Sequence, residues 1–304
     1  MVNRRSFIRQ STAIAGGLVL GGSAIAQGKQ SPQLSFSTLG CPKWTLPQIL
    51  DFGAKYGYAG IEIRGILGEM NLLKRPEFSS AAAISATKKQ FSDKGLKVVN
   101  LGASSELHHA DAAIRKSQMD SAKQFIDLAA AVGSPFIRVF PNAFPKDQAK
   151  AATVDLIIDG LQQLGAYAKG TGVSVLMETH GDVVMSDDLL QIMKQVAGPN
   201  VGLVWDFYNM WSVTHEAPAA VYAKLHQYIR HTHIKDSKKV EGKENYVFLG
   251  RGDAPAAEAI GVLKKNGYKG FYSFEWEKMW HPEIAEPELA FADFPTAFRK
   301  LYNS

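Results

Sequence analysis

The chain has 304 residues, 46% of them hydrophobic and 21% charged, the size and composition of one globular α/β domain with a large core. Its net charge is +5, of which residues 1–26 supply three arginines and no acid, so the body carries +2, a poor match for a dedicated nucleic-acid binder. The single cysteine, Cys41, excludes an intrachain disulfide framework and a cysteine-cluster metal site, and is read as a small packed residue.

The N-terminus begins Asn3-Arg4-Arg5-Ser6-Phe7-Ile8-Arg9, continues in a glycine-rich apolar run to Ile25, and reaches Ala24-Ile25-Ala26. A charged region, a short apolar region and an A-x-A site form a secretory signal, and the paired arginines resemble a twin-arginine export signal. The expectation is cleavage near Ala26 after engagement of the twin-arginine machinery, and a periplasmic location. Residues 27–33 read as a flexible lead-in and residues 34–304 as one catalytic domain.

From Leu34 onward, strand and helix patterns alternate. Strands are predicted at 34–39, 58–64, 96–101 and 136–140, and from Val173, Val201, Tyr228 and Gly270. Helices are predicted at about 45–56, 80–94, 112–131, 147–169, 187–196, 218–224, 254–265 and 287–301. Thr45 is the N-cap of the first helix with Pro47 in its first turn, and Gly95 marks the end of the second. Residues 65–76 form a long loop that could help cover a site, 102–111 a polar loop with His108 and His109, and 238–247 a long charged loop. Eight strand–helix units with no break in composition predict a closed (β/α)8 TIM barrel. No G-x-G-x-x-G opens a helix and no P-loop is present, so no nucleotide cofactor is indicated.

Four apolar strands in succession end in metal-type ligands: Glu178, Asp206, His233 and Glu275, spaced by 28, 27 and 42 residues. A barrel carries its chemistry where strands end. Two Glu, one Asp and one His make an oxygen-rich set suited to one Mn, Mg or Zn ion. Period-two neighbours share a face, so His180 joins Glu178, Lys235 and His231 join His233, and Glu277 joins Glu275. Lys235, Arg138 and Arg251 are candidate grips on substrate oxygens, His180 a substrate or supporting contact, and Glu62 a group facing the barrel mouth. Each also has a plain reading as an ion pair or a packed polar group. Trp44, Phe207, Trp211, Trp276 and Trp280 offer apolar faces, with packing the better reading of any one of them.

The segments Leu176-Met-Glu-Thr-His180, Val204-Trp-Asp-Phe207, His231-Thr-His-Ile-Lys-Asp236, Leu249-Gly-Arg-Gly-Asp253 and Ser273-Phe-Glu275 resemble those of the xylose isomerase-like barrels, the sugar phosphate isomerase/epimerase superfamily. The resemblance implies one divalent ion held by Glu178, Asp206, His233 and Glu275, with the two Glu also moving protons. A bound cation would polarise a carbonyl and its neighbouring hydroxyl and stabilise an enediolate, and a base on each face would permit epimerisation or isomerisation. Many relatives carry a histidine three residues after the strand-six Asp; here it is Asn209, a substrate-side candidate, with His215 further along as a substitute. Export favours an unphosphorylated sugar or keto-sugar over a sugar phosphate. The alternatives are β-elimination from a keto-glycoside, an apurinic-site endonuclease using His108 and His109 toward a three-zinc cluster, and a non-catalytic carbohydrate-binding barrel. The oligomeric state is open, with a homo-oligomer one option.

Overall fold

The computed structural model describes residues 31–304 except residue 197. The signal read in residues 1–26, and the first part of the lead-in, lie outside the described residues. Pro32–Ser304 forms one compact unit. In chain order the elements are β1 (Gln33–Ser37), α1 (Leu46–Lys55), β2 (Gly60–Ile63), α2 (Ala81–Asp93), β3 (Lys97–Glu106), α3 (Ala112–Val132), β4 (Phe136–Phe140), α4 (Lys150–Ala168), β5 (Ser174–Glu178), α5 (Ser186–Gln195), β6 (Val201–Asp206), α6 (Phe207–Thr214), α7 (Pro218–Leu225), β7 (Ile229–Ile234), β8 (Asp236–Val240), β9 (Lys243–Val247), α8 (Ala256–Lys265), β10 (Phe271–Phe274) and α9 (Pro287–Asn303). Eight of the strands form a closed parallel barrel in the order β1-β10-β7-β6-β5-β4-β3-β2, so the expected TIM barrel is the fold. The pair β8–β9 stands apart as an antiparallel hairpin.

Local chemistry sets the boundaries. Thr45 closes a reciprocal capping box with Gln48 at the start of α1. Asp111 caps α3 through the amides of Ala113 and Ile114, and Gly133 ends it in a left-handed conformation at φ 84°. Three stretches differ from the sequence reading. The predicted loop at 102–111 is strand as far as Glu106, where the pairing of β3 with β4 resumes after a bulge. The predicted loop at 238–247 is the hairpin, turned at Glu241 and Gly242, both with positive φ. Residues 207–214 form a helix of their own, α6, immediately after β6.

The core divides into two zones. Between barrel and helices it is apolar, and α9 seals the β1–β10 seam: Phe291 stacks on Phe36 at 4.2 Å, Phe294 on Phe274 at 4.4 Å, and Tyr58 Oη donates to the Phe291 carbonyl at 2.8 Å. Burying each of these rings contributes about 1.5–3 kcal/mol. Inside the barrel the filling is polar. Ser35, Glu62, Asn100, His231 and Ser273 are all fully buried, and Glu62 of β2 reaches across to His231 of β7. Of the aromatic faces named above, Trp44, Phe207 and Trp276 are core residues, Trp211 is half-buried, and Trp280 is exposed. Cys41 is buried with its thiol toward the Thr38 carbonyl, a packed residue as expected.

Candidate metal centre

Glu178 is the last residue of β5 and Asp206 the last of β6. His233 lies near the end of β7, and Glu275 follows β10, with its amide still donating to the Ile234 carbonyl at 3.0 Å. Parallel strands in register deliver their final residues to one rim, so four positions spread over almost 100 residues meet. One ligand atom from each of Glu178, Asp206, His233 and Glu275 lies within 4.8 Å of the others, and all four residues are buried. His233 Nδ1 is 3.1 Å from Glu178 Oε1, 3.2 Å from Glu275 Oε1 and 3.9 Å from Asp206 Oδ2.

Each of the four is held from behind. Asp206 is the N-cap of α6: its Oδ1 accepts from the Asn209 amide at 2.9 Å, leaving Oδ2 turned to the cluster. The backbone of Asn209 thus has a defined task, whereas its side-chain amide nitrogen is buried without a hydrogen-bond partner among the described residues. His215 does not replace the missing histidine; it is exposed at the far end of α6, about two helical turns from Asp206. Of the two readings of Glu62, the structure matches the packed ion-paired one. It does not face the mouth but lies beneath His233, accepting from His233 Nε2 at 3.0 Å and His231 Nε2 at 2.8 Å, because the alternation of β2 turns it into the barrel. That contact holds a proton on Nε2 and presents Nδ1 to the carboxylates, the arrangement a ligating imidazole needs.

Lys235 is buried among three acids, with Nζ 2.8 Å from Asp206 Oδ2, 2.7 Å from Glu275 Oε2 and 2.8 Å from Glu277 Oε1. Arg138 lies with Nε 3.1 Å from Glu178 Oε2 and its guanidinium over the Phe140 ring. Arg64, which the sequence reading did not single out, is buried beside it and donates to the Gly102 carbonyl; burial, then repulsion from Arg138, brings its pKa down to about 9. His180 sits at the rim with Nδ1 3.1 Å from Asn142 Oδ1 and its ring against Phe140. Arg251 does not reach the cluster. Its side chain is mostly exposed and paired with Asp293 of α9 at 2.6 Å. The reason lies in the backbone of its segment: the Asp236 carboxylate accepts from the amides of Gly250, Gly252 and Ala254. A Cβ on Gly252 would fall 2.1 Å from Asp236 Oδ1. The H-x-K-D and G-x-G-D segments are therefore one interlocked loop that points the arginine between the glycines outward.

The electrostatics fit a divalent cation. Around the cluster, the carboxylates of Glu62, Glu178, Asp206, Glu275 and Glu277 face the fixed cations Arg64, Arg138 and Lys235. With neutral histidine, two negative charges remain for an ion to balance. Glu178 Oε2 and Asp206 Oδ2 are buried and make no hydrogen bond of acceptable geometry despite their neighbouring cations, so each keeps a free lone pair. Burial pushes Asp206 up to about 7, against the pull of Lys235 and with the push of Glu275 and Glu178. Burial also works against the charge on Glu275 and Glu178, but His233, aided by Lys235 and Arg138 respectively, holds both below the usual carboxylate range. Burial likewise opposes a charge on His233, yet Glu275, Glu62 and Glu178 raise it well above an ordinary histidine. A cation in place of that proton would satisfy the same carboxylates.

The sequence matches the profile of the xylose isomerase-like TIM barrel family over residues 50–294, and the chain belongs to that family. No curated protein matches it in sequence. Among solved structures, the IolI protein with a bound zinc atom is 19% identical with a TM-score of 0.74, over 89% of this chain and 98% of that one. D-psicose 3-epimerase, solved in the presence of D-fructose, is 15% identical with a TM-score of 0.71, over 90% of this chain and 100% of that one. The 3-keto-D-glucoside 4-epimerase of E. coli is 16% identical with a TM-score of 0.70, over 88% of this chain and 99% of that one. At these identities the likeness is one of fold.

Proposed function

We propose that the protein is a divalent-metal-dependent epimerase or isomerase of an unphosphorylated sugar or keto-sugar, exported by the twin-arginine route to the periplasm. The observation that carries this reading is the meeting of Glu178, Asp206, His233 and Glu275 in one buried cluster, with Glu178 Oε2 and Asp206 Oδ2 left without hydrogen-bond partners among the described residues. When bound there, a divalent ion would polarise adjacent carbonyl and hydroxyl oxygens of the sugar. The chain's own part is proton handling and placement. In the barrel order, β6 and β7 separate β5 from β10, so Glu178 and Glu275 approach from opposite sides. Of two carboxyl groups flanking one carbon, the ionised one accepts the departing proton and the other, once it has taken a proton from solvent, delivers it to the opposite face, as inversion at that carbon requires. Lys235 Nζ, 2.7 Å from Glu275 Oε2, keeps that carboxylate charged and oriented. Arg138 does the same for Glu178. His180, half-buried at the rim and held by Asn142, is placed to meet a hydroxyl of the substrate.

The neighbouring folds that act on D-psicose and on a 3-keto-D-glucoside support this substrate class. The test is incubation of the purified protein with free sugars and 3-keto-glycosides in deuterated water with Mn, Mg or Zn added. Solvent deuterium at the carbon next to the carbonyl is expected, together with an epimer or isomer as product. Release of the aglycone would convert the reading to β-elimination, and no exchange with any substrate or metal would refute it.

A further inference from the structure

A second cluster of ligand-type side chains lies where β3 ends. Glu106, His108 and His109 bring one ligand atom each within 4.8 Å of the others, and they share no residue with the cluster at Glu178. His109 Nε2 is 2.8 Å from Glu106 Oε2, and His108 Nδ1 is 3.9 Å from the same oxygen. His108 is only 7% exposed, and its Nδ1 is buried with no hydrogen-bond partner among the described residues. A buried imidazole nitrogen aimed at a carboxylate, yet too far to bond it, is an unfilled ligand position.

The three groups are also held in place. Glu106 Oε1 accepts from Asn142 Nδ2 at 2.8 Å, which leaves Oε2 for the two histidines. Gln148 Nε2 donates to the His108 carbonyl at 3.3 Å, and the His108 and His109 rings lie with centroids 3.9 Å apart. Asn142 adopts a left-handed φ of 63° and also meets His180 Nδ1. Side chains fixed from behind by amides and a backbone contact are what metal ligands require. The Glu106 and His109 side chains are 31% and 25% exposed, so the cluster is open to solvent on one side.

We propose that Glu106, His108 and His109 form a second divalent-cation site. Two imidazoles and one carboxylate favour zinc or a similar borderline ion over magnesium or manganese, with the open side as the fourth position. The oxygen-rich cluster at Glu178 has the broader preference, so the two sites differ in selectivity. In the metal-free chain the Glu106–His109 contact is a hydrogen bond, and a cation there replaces the shared proton.

Equilibrium titration of the metal-stripped protein with zinc and with manganese tests this, using wild type, His108→Ala and Asp206→Asn. Wild type is expected to bind two zinc ions but one manganese. His108→Ala should bind one of each, and Asp206→Asn should keep one zinc while losing manganese. A zinc-edge anomalous map of wild-type crystals gives a readout independent of how the variants fold, with a peak expected between Glu106, His108 and His109. One zinc alongside one manganese in wild type, no peak at Glu106, or two zinc ions retained by His108→Ala would overturn the proposal. Loss of manganese binding by wild type would instead strike the reading of the Glu178 cluster and leave this one standing.

Discussion

Replacing Glu62 by glutamine keeps the side chain's shape and removes one acceptor. The native carboxylate receives N–H groups from two buried rings, His231 at 2.8 Å and His233 at 3.0 Å. Both rings share Oε2, and His233 Nε2 also lies 3.1 Å from Oε1, so in either orientation the glutamine amide nitrogen faces a ring N–H. One imidazole must rotate or change tautomer, and for His233 rotation carries Nδ1 away from Glu178 and Glu275 while a tautomer change puts the proton on it. All three side chains are fully buried, so solvent cannot fill the gap. Loss of such a supporting carboxylate lowers metal affinity about 10- to 100-fold, or about 1.4–2.7 kcal/mol, and full burial favours the upper end. Calorimetric titration of manganese into metal-stripped wild type and Glu62→Gln measures the ratio, with circular dichroism confirming the fold. An affinity within twofold of wild type would refute the argument that Glu62 sets the orientation of His233.

Glu275→Gln should lower deuterium exchange at the substrate carbon by about 10²–10⁴-fold while leaving the circular dichroism unchanged; full exchange activity would remove Glu275 as a base. Lys235→Met leaves Asp206, Glu275 and Glu277 without their shared cation, so the metal-free variant should lose about 3–5 kcal/mol of stability, seen in urea unfolding and partly restored by manganese. The pH dependence follows from Asp206, raised to about 7, and His233, also raised. In both, the folded state holds its proton more tightly than the unfolded state. The contribution of these two groups to metal-free stability is therefore full only below about pH 4 and falls as pH rises toward 7 for Asp206 and above about 6.5 for His233, whereas saturating metal displaces those protons and flattens the curve; thermal melts from pH 4 to 8, with and without metal, check it. Arg4→Lys combined with Arg5→Lys should hold the protein in the cytoplasm, and unchanged periplasmic recovery would refute the twin-arginine assignment.

The barrel and the four converging residues were legible because the same physics writes both patterns. A strand buried on both faces is an apolar run, and a strand that ends at a polar rim ends in a polar residue. Asp206 shows where that legibility stopped. It closes β6 and caps α6 with no spacer, so Phe207–Thr214, rich in aromatic and β-branched residues, carried no separate start signal. The hairpin was hidden for another reason. Residues 238–245 of it are exposed and include three lysines, and its fully buried positions, Asp236 and Ser237, are polar, so there is no period-two hydrophobic pattern to read. For Glu62 and Arg251 both a site reading and a plain ion-pair reading were open, and the structure matches the ion pairs, because a residue's type does not reveal which way the backbone turns it. Glu62 is turned inward by the pleat of β2, and Arg251 outward by a loop whose glycines are spent on Asp236. Arg64 had one weak signal, its place just past the apolar alternation of Gly60–Ile63.

Closure of the barrel by β10 against β1 sets an order of events during synthesis. β10 is the last barrel strand to leave the ribosome, and it pairs with the first, Gln33 opposite Phe271 and Phe36 opposite Phe274. Until then β1 and β7 each carry an open edge, and Glu275 is not yet present to complete the cluster. A nascent or truncated chain thus offers at most three of the four candidate ligands, and under the proposed function tight metal capture would report a finished molecule. Under the proposed twin-arginine export, which carries folded cargo, the ion would serve as a seal of completion, set by the final strand before the chain departs.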